Sequence, residues 1–327
     1  MAYTSGGTIQ ALDYNLLAWG GNTQVYNATP DNLAEIWGIG NGQNGYGQDT
    51  SLISTLSAGT TVSATQWAGL VYTLNKTLGH QGGAAAQLAT GSNIGIVAGA
   101  TIAAFANVAA AITTVNTNKA LFNSTRSSVV TGTNLDATWN TASPTTFQQV
   151  RTVTFTSADT MRYFFNAGGR INLALTTVSG TDNAKETSWT NLLNNGIGTI
   201  SLDYTTSARS GTGYTLTTDG SATGFWDLTG GTDYTLIKLT DTTAEYTSNF
   251  VEVKAKVTGT AGSNGGLGTI ITFTIDYSDG ATDTSYDLGF APDTINMTMR
   301  TRIDYLKPET TYLADVVSTI TIAATVN

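Results

Sequence analysis

The run Gly40-Asn41-Gly42-Gln43-Asn44-Gly45 carries the spacing G-x-G-x-x-G, which in a dinucleotide site brings backbone amides against a pyrophosphate. That chemistry needs a strand before the glycines and a helix after them, so that the phosphates meet a helix N-terminus. Here a helix-like stretch precedes the glycines and the loop runs on through Tyr46, Gly47 and Gln48, which predicts a structural loop and no cofactor. The one histidine, His80, lies in His80-Gln81-Gly82 at the end of a predicted helix, where an imidazole satisfies terminal carbonyls and complements the dipole. With one histidine and no cysteine, a multi-histidine or thiolate metal site cannot be built within one chain, and a serine triad could draw only on His80.

Asp276, Asp279, Asp283 and Asp287 gather around Gly280, but their spacing is not that of an EF-hand, and a solvated acidic turn is expected. Nothing in the sequence selects a carboxylate pair for glycoside hydrolysis. Phe225-Trp226, flanked by Tyr214 and Tyr234, could form a platform on which a sugar ring stacks, or could fill a core or a subunit contact. Arg151, Arg162 and Arg170 surround Tyr163-Phe164-Phe165 and are expected to pair with carboxylates across an interface.

The elements that must carry these residues change character near residue 125. Before it, apolar residues recur at helical spacing; after it, alternation and glycine turns dominate. Ser63 and Gln66 form a capping-box pattern ahead of Trp67, Leu70, Val71, Leu74 and Leu78, which predicts a helix stopped at Gly79. Ala11–Trp19 and the stretch from Pro30 through Leu33, Ile36 and Trp37 predict shorter helices. No charged side chain occurs between Lys76 and Lys119. Ile94 to Ile112 approaches the length of a membrane span, but it is rich in Ala and Gly and lacks basic flanks and an aromatic belt, so no span is expected. Phe105, Val108, Ile112, Val115, Lys119 and Phe122 instead repeat at three and four residues. This short heptad stripe could pack within its own domain or against copies of itself, and Phe105, Val108, Ile112, Val115 and Phe122 are the candidate self-association residues.

Beyond residue 125, Val150, Thr152, Thr154 and Thr156 alternate with Arg151, Val153 and Phe155. Val251, Val253, Ala255 and Val257 alternate with charged neighbours, and Ile271, Phe273, Ile275 and Tyr277 form the expected companion strand across a Gly262–Gly268 turn. Ile295, Met297 and Met299, then Val317, Thr319 and Thr321, predict further strands. The expected fold class is α+β: a helical N-terminal module followed by antiparallel β-sandwich-like regions. Three regions are expected: a helical anchoring and assembly module over 1–125, a β-rich domain over 126–243, and a β-sandwich-like C-terminal domain over 244–327, the last two of which could share sheets.

Composition narrows the function classes. Charged residues are 11% of the 327, against roughly 25% in an average soluble domain, with neutral polar residues in their place. A net charge of −9 argues against a phosphate-backbone binder, so nucleic acid is not an expected partner. The start, Met1 to Gly7, has no basic and no apolar stretch, so no signal peptide is expected. Sparse charge, the absence of cysteine and a Thr-, Gly- and Asn-rich β region favour a component of an assembly over an enzyme.

Asp159-Thr160-Met161-Arg162-Tyr163-Phe164-Phe165-Asn166-Ala167-Gly168-Gly169-Arg170 closely resembles a segment of virion structural proteins of tailed bacteriophages, notably those of cyanophages. Ala11-Leu12-Asp13-Tyr14-Asn15, Gly45-Tyr46-Gly47-Gln48, and the Trp67 helix ending in His80-Gln81 resemble a helical module of the same proteins. Gly224 to Leu228 and Val251 to Lys256 extend the resemblance over most of the chain. One departure is Gly79, where the module often has arginine before the His-Gln pair. The resemblance implies a structural tail, neck, baseplate or fibre component located in the virion, with no catalytic residues, no cofactor and no metal. It implies copies of itself, as a trimer or higher oligomer, and other virion proteins as partners. The alternatives are head decoration, a glycan-binding host-recognition module that uses the Trp226 region, and a polysaccharide depolymerase.

Overall fold

A computed structural model describes residues 9–21, 32–88, 105–122, 125–127, 129–141, 145–180, 183–243, 245–259, 268–281, 294–317 and 319–326. The chain forms two compact units, neither of them continuous in sequence. Unit 1 comprises Met1–Ser127, Arg162–Gly168 and Lys307–Val317; unit 2 comprises Ser128–Met161, Gly169–Leu306 and Ser318–Asn327.

Unit 1 is helical. Its helices are α1 (Ala11–Trp19), α2 (Leu33–Trp37), α3 (Ala64–Gly82) and α4 (Phe105–Thr117). Asn32 caps α2 by accepting from the Glu35 amide at 2.9 Å. The expected capping box opens α3: Ser63 Oγ accepts from the Gln66 amide at 3.2 Å and Gln66 Oε1 accepts from the Ser63 amide at 2.8 Å. Trp67, Leu70, Val71, Leu74 and Leu78 all enter the core of the unit with Trp19, Leu33, Ile36 and Tyr46. Contrary to expectation, α3 does not stop at Gly79. It runs on to Gly82 and breaks at Gly83, where φ is +76°. Gly79 has a different cause: the Tyr312 ring lies where a Cβ would stand. Thr29 and Pro30, most of the Ile94–Ile112 run and the turn residues 262–267 lie outside the described residues. Among the described residues no helix is long and apolar enough to cross a membrane.

Unit 2 is built from two antiparallel sheets. One orders as β1-β10-β3-β4-β5, from strands Val129–Thr141, Ile295–Leu306, Arg170–Ser179, Thr199–Leu202 and Ser207–Arg209. The other orders as β11-β2-β9-β8-β7-β6, from Thr321–Val326, Thr145–Thr154, Ile270–Asp279, Phe250–Val257, Tyr234–Thr240 and Thr215–Asp219. The strand pair read from alternation is present in register: Val251 faces Tyr277, Val253 faces Ile275, and Ala255 faces Phe273. Val317 and Thr319 stand before β11, which begins only at Thr321.

The molecule is therefore α+β, with its helices mainly N-terminal and its sheets antiparallel. The two β regions on either side of residue 243 do share sheets, because β10 pairs with β1 and β3, and β9 pairs with β2. Strands from both expected β regions share both sheets, since the alternating apolar faces of each half are completed only by the other. Two helices lie among these strands: α5 (Ala158–Asn166), which begins in unit 2 and ends in unit 1, and α6 (Ala184–Asn191). Between the sheets Trp139, Phe147, Trp189 and Tyr277 form a ring cluster, with Trp139 stacked on Phe147 at 5.8 Å and edge-on to Trp189 at 5.2 Å.

Candidate functional site

The residues that could have done chemistry in unit 1 converge on two adjoining fastenings. The first is the glycine-rich loop. Arg162, from the last turns of α5, is buried and donates to the carbonyls of Asn44 and Ile39, both at 2.8 Å. One turn on, Asn166 donates from Nδ2 to the carbonyls of Asn44 at 2.9 Å, Gly42 at 3.1 Å and Gly45 at 3.3 Å. Asn44 in turn donates to Glu35 Oε1 at 3.0 Å. The loop thus offers carbonyls to cationic and amide donors, the reverse of the amide cradle that an anion needs. Gly45 has φ +94°, and a side chain there would collide with the Ile39 carbonyl, so the glycine spacing follows from a tight turn. The Tyr163 ring packs on Gly47, and the Arg162 guanidinium lies 4.9 Å from the centre of that ring.

The second fastening centres on His80. Its ring is fully buried and its Nδ1 stands 2.9 Å from Glu309 Oε1, so it meets a carboxylate from residues 307–317 and not the helix-terminal carbonyls expected. Glu309 Oε2 accepts from the amides of Thr311 at 2.6 Å and Tyr312 at 3.0 Å. Burial pushes the Glu309 carboxyl up, but the bonds from His80, Tyr312 and Thr311 outweigh it and hold the group below the ordinary glutamate value. Tyr46 sets its ring edge against the His80 ring at 4.8 Å. Gln81 donates to Tyr46 Oη at 3.0 Å and to the Val115 carbonyl at 3.1 Å. Gln48 bonds Ala314 in both directions, donating to its carbonyl at 3.1 Å and accepting from its amide at 2.7 Å. Lys76 donates to the Thr311 carbonyl at 3.1 Å.

A histidine oriented by a carboxylate has the form of a general base, but a base must come within hydrogen-bond reach of the proton it removes. His80 is sealed by Tyr46 and by its own core, so the pair fastens two chain segments instead. Glu309 could not have been found from the sequence, since 229 positions separate it from His80 and no motif surrounds it. Asn166 and Gln48 were within quoted motifs, yet their partners are main-chain atoms that carry no sequence signal.

The remaining candidates are placed as follows. Val108, Ile112 and Val115 are buried in the core of unit 1, the packing within its own domain that the stripe allowed, so these three are a core face and offer no seam to a second copy. Phe105 opens α4. Phe122 follows the helix and lies on Gly168, with the Arg126 guanidinium 5.3 Å from its ring centre. Phe225 and Trp226 are buried edge-on to each other at 5.2 Å, and Tyr204 meets Trp226 at 6.3 Å. Tyr234 bonds Thr229 at 3.1 Å, and the half-buried Tyr214 lies over Gly196. These four aromatics form no exposed platform: the first two belong to the core of unit 2.

The arginines also differ from expectation. Arg170 does grip a carboxylate, Asp203, through Nε at 2.9 Å and Nη2 at 2.7 Å, but within the same chain. Arg151 is buried between the sheets and donates to the carbonyls of Thr133 at 2.9 Å and Thr301 at 3.4 Å, and burial lowers its pKa. Of the acidic group, Asp276 bonds Lys254 at 2.8 Å and Gln148 at 2.7 Å, and Asp279 faces Lys185 at 3.4 Å. Asp283 and Asp287 lie outside the described residues.

No family model matches the chain, and no curated protein or solved structure matches it either.

Proposed function

We propose that the chain is a non-enzymatic structural component of a bacteriophage virion, a homo-oligomeric tail, neck or collar, or fibre protein that acts through assembly and multivalent contact. One observation carries this reading. The segments that resemble virion proteins, Gly45–Gln48, His80-Gln81 and Arg162–Gly168, are far apart in the chain, yet their side chains are spent together on holding unit 1 closed. What the resemblance preserves is therefore a way of fastening a module, which suits a part whose work is geometric. Antibody-gold labelling of purified particles of the encoding phage tests the reading. Label on the tail, neck or fibres supports it, label on the capsid moves the chain to head decoration, and particles free of the chain overturn it.

A further inference from the structure

Among the described residues the two sheets of unit 2 end in four edge strands, and edges are where β proteins are protected against pairing with other chains. Three of the four carry a recognisable device. β1 has a register break between Thr131 and Asn134 and carries Asp136, gripped by Arg300 at 2.6 and 2.7 Å. β5 is only three residues long and ends in Arg209. β6 has a register break between Leu216 and Thr218 and ends in Asp219. β11 has none of these. Its six residues, Thr-Ile-Ala-Ala-Thr-Val, pair with β2 without a break, contain no charge, proline or glycine, and are all exposed except Ile322.

We propose that the open edge of β11 pairs antiparallel with β11 of a second copy of this chain, across a two-fold axis at Ala324. This inference rests on the reading of the chain as a self-assembling component. A two-fold normal to the sheet keeps each side chain on its own face, so only registers that pair residues of the same parity are allowed. The register centred on Ala324 sets Ala324 against its own copy, Ile322 against Val326 and Ala323 against Thr325. Apolar residues then meet apolar residues on one face, and no charge meets its own copy. That last point selects the partner. A net charge of −9 opposes self-association in general, but no charged residue lies between Asp315 and Asn327, so two copies can meet along β11 without setting like charges against each other. The two six-stranded sheets would become one continuous sheet.

Light scattering on the purified full chain tests the proposal. The expected result is a dimer or an even-numbered higher assembly that contains it. Ala324→Lys, which sets two ammonium groups opposite each other at an exposed position, is expected to halve the mass while leaving the far-UV circular dichroism of the chain unchanged. Because the chain has no cysteine, Ala324→Cys gives an independent readout. Opposed residues of an antiparallel pair lie about 4.5–5.5 Å apart at Cα, within disulfide reach, so mild oxidation should link two chains, whereas Ser221→Cys should not. A monomeric full chain, or an oligomer that neither A324K dissociates nor A324C cross-links, overturns the proposal. Gold label on particles combined with an oligomer that neither variant perturbs removes this interface and leaves the virion reading standing, whereas gold label combined with a monomer removes the homo-oligomeric part of that reading as well.

Discussion

The two units are held together by different means. Unit 2 rests on repetition: Val251, Val253, Ala255 and Val257 bury one face of β8 while Glu252, Lys254 and Lys256 line the other, and β9 repeats the alternation beside it. Unit 1 has an apolar core of its own around Trp19, Trp67 and Leu70, but its distant segments are tied to that core by single fastenings, Arg162 and Asn166 on the loop carbonyls and His80 on Glu309, which join segments more than a hundred residues apart. Apolar burial spreads stability over many similar contacts in either unit, whereas the link between distant segments depends on one or two polar side chains at each fastening.

That contrast can be broken by substitution, followed by thermal unfolding and by hydrogen exchange to locate the loosened unit. The largest effect is expected at Trp226, since removing a buried indole in Trp226→Ala should cost unit 2 about 4 kcal/mol through the cavity it leaves. Arg162→Ala, which removes two hydrogen bonds from a charged donor, should cost about 3 kcal/mol and open exchange over residues 39–45 alone. If that exchange instead rises throughout unit 2, the contrast fails. Glu309→Gln should cost about 2 kcal/mol at neutral pH, less than either.

Glu309 also gives the comparison a pH axis. Its carboxyl titrates lower when folded than its ordinary value of 4.5, so its contribution is complete above that value and is lost as pH falls through the folded pKa. Exchange protection over residues 307–317 should therefore fall in acid in the wild type and become nearly flat with pH in Glu309→Gln. Gln66→Ala should have the smallest effect, below about 1 kcal/mol, because the capping box it removes is exposed and local. An effect of Gln66→Ala larger than that of Arg162→Ala would show that helix formation, not fastening, limits unit 1.

What was legible in the sequence follows the same division. The capping box at Ser63, the face from Trp67 to Leu78 and the pairing of β8 with β9, though not its register, were readable because each is a local pattern. The stripe Val108, Ile112, Val115 was readable as a stripe, but its partner was not, since a heptad face looks the same whether it meets its own domain or another copy. The alternation that put Arg151 on one face of β2 gave no sign that this face was the buried one, with main-chain carbonyls as acceptors. Nor could composition show that residues 162–168 and 307–317 belong to the N-terminal unit, since those links are single bonds formed at long range.

The discontinuity of unit 1 has a consequence for the order of synthesis. A ribosome releases residues 1–127 long before it makes 307–317, and until then His80 has no Glu309 and Gln48 has no Ala314. The helical unit must wait, partly open, while nearly all of the sheet residues emerge and pair. A chain cut short before residue 307 can make neither of these two links from its own residues, so a shortened product stays unfinished in the very unit that a folded copy has closed.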